Sequence, residues 1–402
     1  MTQRARPFNP TCRFSPDDRP CFPSTGPRIS SLTHASGLIL KLVATTGWLL
    51  AAIFSNSAWG QAFSATAQHA DGGTFQVTDA ANRLAAANRA LELCRSQPSP
   101  GRCELTEANG STLHTVASVR ARVPAENHPL YLWEFQTTNA RLFLAGSVHI
   151  LKPGFYPLPR QYDDAFAQTD HLVLEVDAAG LSSEAIQQAM LKHARLPSGQ
   201  TLTQLLPRDM VSTLKSTLAE YGLPYGAVEV FKPSFVSQQL ALLALMSVGY
   251  SPQSGVEHYF RRKLAERQIL ELESVEFQFE LLFNADMATQ IDLVSATLEQ
   301  LDQFEPITAA LVGAWLAGDD GALQDALAEQ HADTELARAF TRRLVDDRNR
   351  SMANTIIGYL NQGGSYFVLV GAAHLVGNQG IPTLLTQAGY PGRRVMSGDR
   401  IE

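Results

Sequence analysis

Two stretches of this chain, more than two hundred residues apart, follow one pattern. Residues 139–150, NARLFLAGSVHI, run from aliphatic and aromatic residues into Gly146-Ser147-Val148-His149. Residues 364–377, GSYFVLVGAAHLVG, run likewise into Gly371-Ala372-Ala373-His374. Apolar runs of this length and type read as strands, and a glycine at the exit suits positive φ or a close approach of backbone. A third run, HLVLEVD at 171–177, is apolar on both faces until Glu175, as expected of a buried central strand. Buried strands of this kind need layers of helix on both sides, which restricts the chain to a sheet-centred fold.

The segments between these runs supply the helices. Helical spacing is expected over 183–194, 203–221 and 234–248, with Pro207, Pro224 and Pro233 near their starts. SGVEHYFRRKLAERQ reads as a helix, QILELES as a strand, 276–346 as largely helical, and LVDDRNRSMANTIIGYLNQ as a helix leading into the strand Tyr366 to Val370. Leu130 to Phe135 and Arg141 to Ile150 read as a hairpin turning at Thr137-Thr138-Asn139. From about residue 77 to Cys94, within QVTDAANRLAAANRALELC at 76–94, the chain reads as an amphipathic helix in a small N-terminal extension over 63–128. The expected fold is α/β, or α+β, with a central mixed sheet and a large helical insertion.

With 402 residues, 45% of them hydrophobic, the chain can bury a large core as one big domain or two smaller ones. The formal charge is −7, and residues 1–62 hold six basic groups against Asp17 and Asp18, so the remaining body carries about −11 and nucleic acid is disfavoured as a partner. Residues 42–54, LVATTGWLLAAIF, form an uncharged apolar run behind Lys41, and small residues follow it, with Ala58 and Gly60 or Gly60 and Ala62 at cleavage spacing. The run falls short of the roughly 20 apolar residues of a comfortable membrane span. An export signal over 37–62 and a periplasmic body are expected; a retained anchor, the one route to a membrane, and a buried helix are the alternatives. Cys12 and Cys21 would leave with such a signal, and Cys94 and Cys103 remain as an even pair across a Pro- and Ser-rich turn. A structural disulfide is expected there, with two unpaired thiols as the alternative.

In an open α/β sheet, residues beyond the carboxyl ends of strands converge without being close in sequence. His149, Glu175, Glu271 or Glu273, and His374 all stand at such ends. Two neutral imidazoles with one or two carboxylates can hold a divalent ion that acidifies water and polarises a carbonyl. The competing reading makes each histidine a hydrogen-bonded structural residue. A buried carboxylate in LVLEVD needs a partner, which is a metal, a substrate group or an arginine such as Arg348. A Gly-x-Ser-x-Gly elbow, a His-Glu-x-x-His helix, a Walker loop and a strand-borne Gly-x-Gly-x-x-Gly are missing. His258 and His331 lie in polar helical stretches and read as surface residues.

Over about 129–392 the chain resembles the TraB/GumN family, which includes the Tiki proteins. LAGSVHILKPGFYPLP, TDHLVLEVD, FKPSFVSQQL, SGVEHYFRRKLAERQILELES, LVDDRNRSMA and FVLVGAAHLVG carry the resemblance, in that order. It implies that Gly146 with His149, Gly371 with His374, and Glu175 are the family's motif residues, with Glu257, Glu273 and Arg348 in further family-like segments. It also implies an α/β core related to erythromycin-esterase-like and ChaN-like proteins. For the Tiki branch it implies metal-dependent proteolysis with manganese or cobalt; zinc is compatible with the donor types. Glu271 stands where a glycine is common, which alters the local turn. The expected function is an exported metal-dependent hydrolase of peptide or related acyl bonds, acting on a peptide or small acyl substrate. The rival expectations are a haem- or ligand-binding protein of the ChaN type and a non-catalytic envelope or polysaccharide-pathway factor.

Overall fold

The computed structural model describes residues 62–177, 180–328 and 343–402. The expected export segment, apart from Ala62, and His331 lie outside the described residues. A six-stranded sheet forms the centre, in the order β10-β5-β6-β9-β7-β8. Its strands are β5 (Pro129–Gln136), β6 (Ala140–Ser147), β7 (His171–Leu174), β8 (Gln268–Glu271), β9 (Gly364–Gly371) and β10 (Arg393–Met396). β6, β9, β7 and β8 run parallel, and β5 and β10 are antiparallel additions at one edge, so the sheet is mixed and the fold is α/β. Leu142 to Ala145 in β6 and Phe367 to Val370 in β9 are fully buried on both faces, which is why their sequences are apolar without alternation. Each such side chain contributes about 1.5–3 kcal/mol on burial.

Helices enter as two large blocks. Between β7 and β8 lie helices that include Ser183–Ala194, Arg208–Glu220, Pro233–Ser247 and Val256–Arg261. Between β8 and β9 lie Val275–Phe283, Met287–Gln300, Phe304–Ala317, Asp320–Ala328 and Arg348–Gln362. The helix Phe304–Ala317 ends at Gly318, whose φ of 65° and approach to the Pro129 carbonyl leave no room for a Cβ.

The structure shortens several expected elements. The expected helix over 203–221 is divided at Pro207 into Leu202–Leu205 and Arg208–Glu220. SGVEHYFRRKLAERQ keeps only one helix of six residues, Val256–Arg261. β7 stops at Leu174, although the Leu174 and Glu175 carbonyls still accept the N–H groups of Leu272 and Glu273, each at 2.9 Å.

The N-terminal extension is not purely helical. β1 (Phe63–His69), β2 (Thr74–Ala80), β3 (Cys103–Ala108) and β4 (Ser111–Thr112) form a second sheet in the order β2-β1-β3-β4. The expected helix from 77 begins only at Arg83, because Val77 pairs with Ala65 across the sheet and Asn82 then caps the helix by accepting the Ala85 N–H at 2.8 Å. Local spacing alone could not see that cross-strand partner. The helix Arg83–Arg95 lays Ala86, Ala87 and Ala90 on this sheet, and a Cys94–Cys103 disulfide joins its last turn to β3.

Candidate functional site

The parallel pairing of β6 with β9 brings the two Gly-x-x-His motifs side by side. Gly146 lies opposite Val370 and Ser147 opposite Gly371, a stagger of one residue between motifs. Both glycines serve close approach and not positive φ. A Cβ on Gly146 would come within 2.9 Å of the Tyr131 Cβ and 3.0 Å of the Leu375 Cδ1. A Cβ on Gly371 would sit 3.3 Å from His149 Nε2, 3.3 Å from Glu175 Oε1 and 3.6 Å from His374 Cδ2. Glu175 and both histidines therefore surround one point above the Gly371 backbone, and the Gly371 N–H donates to Glu175 Oε1 at 2.5 Å.

Each imidazole is held through Nδ1, by different chemistry. The Val256 N–H donates to the Val148 carbonyl at 3.2 Å, which seats the first turn of Val256–Arg261 on the first motif. From that turn Glu257 reaches His149, with Nδ1 to Oε1 at 2.7 Å, and the same oxygen accepts the Ser147 hydroxyl. His149 is only 8% exposed, and its Nε2 is buried without a hydrogen-bond partner among the described residues. Burial opposes its charged form, but Glu257 and the nearby Glu175 outweigh burial and raise its pKa above the ordinary value. Glu257 moves the opposite way: burial would raise it, and His149 and Ser147 lower it.

His374, 2% exposed, sits on the short turn Ala372–Leu375 with Nδ1 2.6 Å from Asn349 Oδ1. Its Nε2 lies 3.7 Å from Glu175 Oε1 and 3.3 Å from Arg348 Nη1. In the neutral form of each ring, the acceptor on Nδ1 selects the tautomer with the proton on Nδ1 and the lone pair on Nε2.

Arg348 stands at the centre, 1% exposed. Its Nη2 donates to Glu175 Oε2 at 2.6 Å and to Glu273 Oε2 at 2.7 Å, and Nε donates to Glu273 Oε2 at 2.9 Å. A turn with i to i+5 spacing, Arg343–Asp347, delivers it, and Nη1 donates back to the Leu344 carbonyl at 3.3 Å. Burial would raise the Glu175 carboxyl, but His374, Arg348 and His149 hold it down at about 2. Glu273 goes up, because burial outweighs the guanidinium beside it. Two carboxylates around one guanidinium leave an excess negative charge, which favours a further cation or a protonated ring nearby.

The sequence-expected residues thus come together: His149, Glu175, His374, Gly146 and Gly371 form the cluster, and Glu257, Glu273 and Arg348 support it. Glu271 does not join; its carboxylate accepts the Asp177 N–H at an exposed edge. His258 is half-buried and not on the surface. Asn349 and Ser147 were missed. The signal for Asn349 was present, since Arg348 and Asn349 head the buried stripe of Met352, Ala353, Ile356 and Leu360 at helical spacing.

The motifs also floor a cavity of about 90 Å³. Its walls are Leu311, Val312 and Trp315 of Phe304–Ala317, with Leu245, Leu323 and Leu344. Trp315 Nε1 donates to the Gly146 carbonyl at 3.0 Å and fixes this wall to the first motif. Thr308 also lines the cavity with a buried hydroxyl that has no partner.

Among the described residues, no group of three or more His, Cys, Asp and Glu is arranged to hold a metal ion directly. The donor types are those of a divalent-metal site, although His374 Nε2 faces Arg348 Nη1 at 3.3 Å and Glu175 already accepts from Arg348 and the Gly371 N–H. His149 Nε2 and Glu175 Oε1 each come within 3.3 Å of the position a Cβ on Gly371 would take, and both rings are oriented at Nδ1 as metal-ligating histidines are.

The sequence profile of the TraB/PrgY/gumN family matches residues 131–394. The "Metalloprotease TIKI homolog" of Nematostella vectensis is 24% identical over 323 residues, covering 66% of this chain and 67% of that protein. "Uncharacterized protein YbaP" of Escherichia coli strain K12 is 21% identical over 253 residues, covering 61% of this chain and 88% of that protein. No solved structure matches the chain significantly. With six ordered sequence blocks, two strand-end histidine motifs and a profile match across the whole central domain, the chain belongs to the TraB/PrgY/gumN family.

Proposed function

We propose that this chain is an exported, metal-dependent hydrolase of peptide or related acyl bonds, acting at the His149–Glu175–His374 cluster. The observation that carries the reading is the convergence of His149, Glu175 and His374 on Gly371, with His149 Nε2 buried and without a hydrogen-bond partner among the described residues, at the floor of an apolar cavity. A deep apolar pocket with a few convergent polar groups is the usual form of a substrate site. The Nematostella relative, a metalloprotease homologue by name, supports the reaction class.

His149, His374 and Glu175 would hold the ion, with manganese or cobalt first and zinc as the other fit to these donors. When bound, a divalent ion supplies Lewis acidity that draws electrons from an acyl carbonyl and eases deprotonation of water. The chain's own residues do the rest. Glu257 and Asn349 hold the two rings in the Nε2 lone-pair tautomer, and Arg348 keeps Glu175 ionised and aimed at Gly371. The apolar cavity takes an apolar side chain or acyl group of the substrate and keeps water from it. Export rests on the apolar run behind Lys41, and the Cys94–Cys103 disulfide suits an oxidising compartment.

The test is metal content by mass spectrometry together with cleavage of a peptide library by the purified full-length chain. About one Mn or Co per chain, and cleavage beside Leu, Val or Met, are expected. Retention of both metal and cleavage in His149→Ala and His374→Ala would overturn the reading. A haem absorption band lost on either substitution, with no cleavage, would replace hydrolysis by ligand binding. N-terminal sequencing of the mature protein from the producing cell tests export; an intact residue 1 would refute it.

A further inference from the structure

A second and larger cavity, about 490 Å³, lies away from the histidine cluster, in the cleft between the N-terminal sheet unit and the central domain. That volume falls within the range of small-molecule sites, which favour such boundaries between units. One wall is apolar: Leu84 and Leu91 from the helix Arg83–Arg95, and Met246 from Pro233–Ser247. The other is cationic, formed by Arg95, Arg102, Arg120 and Lys152.

The basic groups are unequally engaged. Lys152, 2% exposed, donates to the His114 carbonyl at 2.6 Å and pairs at 3.6 Å with Glu104, the one carboxylate lining the cleft. The three arginines have no carboxylate partner among the described residues. Arg102 Nη1 donates to the Gly154 carbonyl at 3.2 Å, and Arg120 Nη2 donates to the Phe155 carbonyl at 2.7 Å. Arg120 Nη2 also donates to the Pro157 carbonyl at 3.1 Å, so both guanidiniums are fixed to one loop through backbone carbonyls, and burial together with the charge of Arg102 lowers the pKa of Arg120. Like charges held together in this way are stabilised by an anion between them.

An independent observation comes from Tyr250. It lines the same cleft, is 2% exposed, and its hydroxyl, just beneath the cleft surface, has no hydrogen-bond partner among the described residues. A buried hydroxyl without a partner costs stability that a bound acceptor restores.

We propose that this cleft binds a small amphiphilic anion, a carboxylate or phosphate carried on an apolar chain, with the head group at Arg102, Arg120 and Tyr250 and the chain along Leu84, Leu91 and Met246. The site is separate from the proposed reaction and does not depend on it. Its loop, residues 152–154, continues directly from His149, so an occupant would brace the segment that carries the first motif.

The experiment is calorimetric titration and thermal shift of the full-length chain with octanoate and with octyl phosphate, using inorganic phosphate and octanol as references. Saturable binding of one amphiphile per chain with a raised Tm is expected, and the tighter of the two identifies the head group. Arg102→Gln with Arg120→Gln should weaken binding about 10- to 100-fold, the range of two lost charge-assisted hydrogen bonds. Tyr250→Phe should leave the Tm of the free protein unchanged or higher while weakening binding, a combination that loss of folding cannot mimic. No saturable binding of either amphiphile, octanol binding as tightly as both, or unaltered affinity in Tyr250→Phe and in the double arginine variant would each overturn the proposal.

Discussion

His149 and His374 occupy the same local sequence frame, yet their surroundings differ in kind. The His149 Nδ1 meets a carboxylate, Glu257, and its Nε2 has no partner; the His374 Nδ1 meets a neutral amide, Asn349, and its Nε2 faces Arg348 and Glu175. A carboxylate behind an imidazole makes the ring more basic and binds it more strongly than an amide does. The pair is therefore asymmetric: His149 is the stronger electron donor, and His374 is the ring whose position depends on the buried ionic triad. A repeated motif here places two rings without giving them one role.

The triad is the place to break that comparison with the largest effect. Arg348→Met leaves Glu175 and Glu273 buried without their cation and should cost about 3–5 kcal/mol in chemical denaturation, as for other buried pairs cut on one side. Arg348→Lys should recover only part of this, because one ammonium cannot reproduce the fork that joins two carboxylates. If Arg348→Met is neutral, the guanidinium does not hold Glu175 and the proposed dependence of His374 on it fails.

Glu257→Gln makes the partner of His149 resemble that of His374. The loss of a charge-assisted hydrogen bond should cost about 1.5–3 kcal/mol, and Mn or Co affinity measured by competition should fall about 10- to 100-fold. Asn349→Ala removes two neutral bonds, one to His374 and one to the Gln379 carbonyl at 2.7 Å, and should cost about 1–2 kcal/mol, with a smaller loss of metal affinity. Equal effects from Glu257→Gln and Asn349→Ala would erase the asymmetry.

The smallest effect belongs to a carboxylate bridged by arginines at the sheet edge. Glu134 bridges Arg141 and Arg393, each at 2.8 Å, where burial is offset by the two guanidiniums and its pKa lies below the ordinary carboxylate range. A lowered carboxyl contributes stability above its unfolded pKa and loses it as pH falls through the folded value. Glu134→Gln should therefore cost about 0.2–1 kcal/mol at pH 7 and nothing at pH values below the folded pKa. A cost as large as that of Arg348→Met would mean that burial does not set the scale of these ionic contacts.

Much of the fold was legible because its signals are local. Unbroken apolar runs ending in glycine marked β6 and β9, and the spacing of Cys94 and Cys103 across a Pro- and Ser-rich turn marked the disulfide. Where the reading failed, the deciding partner was remote: β2 replaced the start of a helix because β1 pairs with it. Asn349 was visible at helical spacing from Ala353, but nothing in the sequence says that the face it heads meets His374.

The sequence by itself determined that strand-end histidines and a buried carboxylate exist, since residue type and local spacing are properties of short segments. Only the tertiary structure decided that β6 and β9 are neighbours in a register staggered by one residue, that Glu273 and not Glu271 turns inward, and that one guanidinium lies between two carboxylates. These depend on sheet order and on which face each chain segment turns to the core, and such long-range choices are settled by burial of the whole apolar surface together.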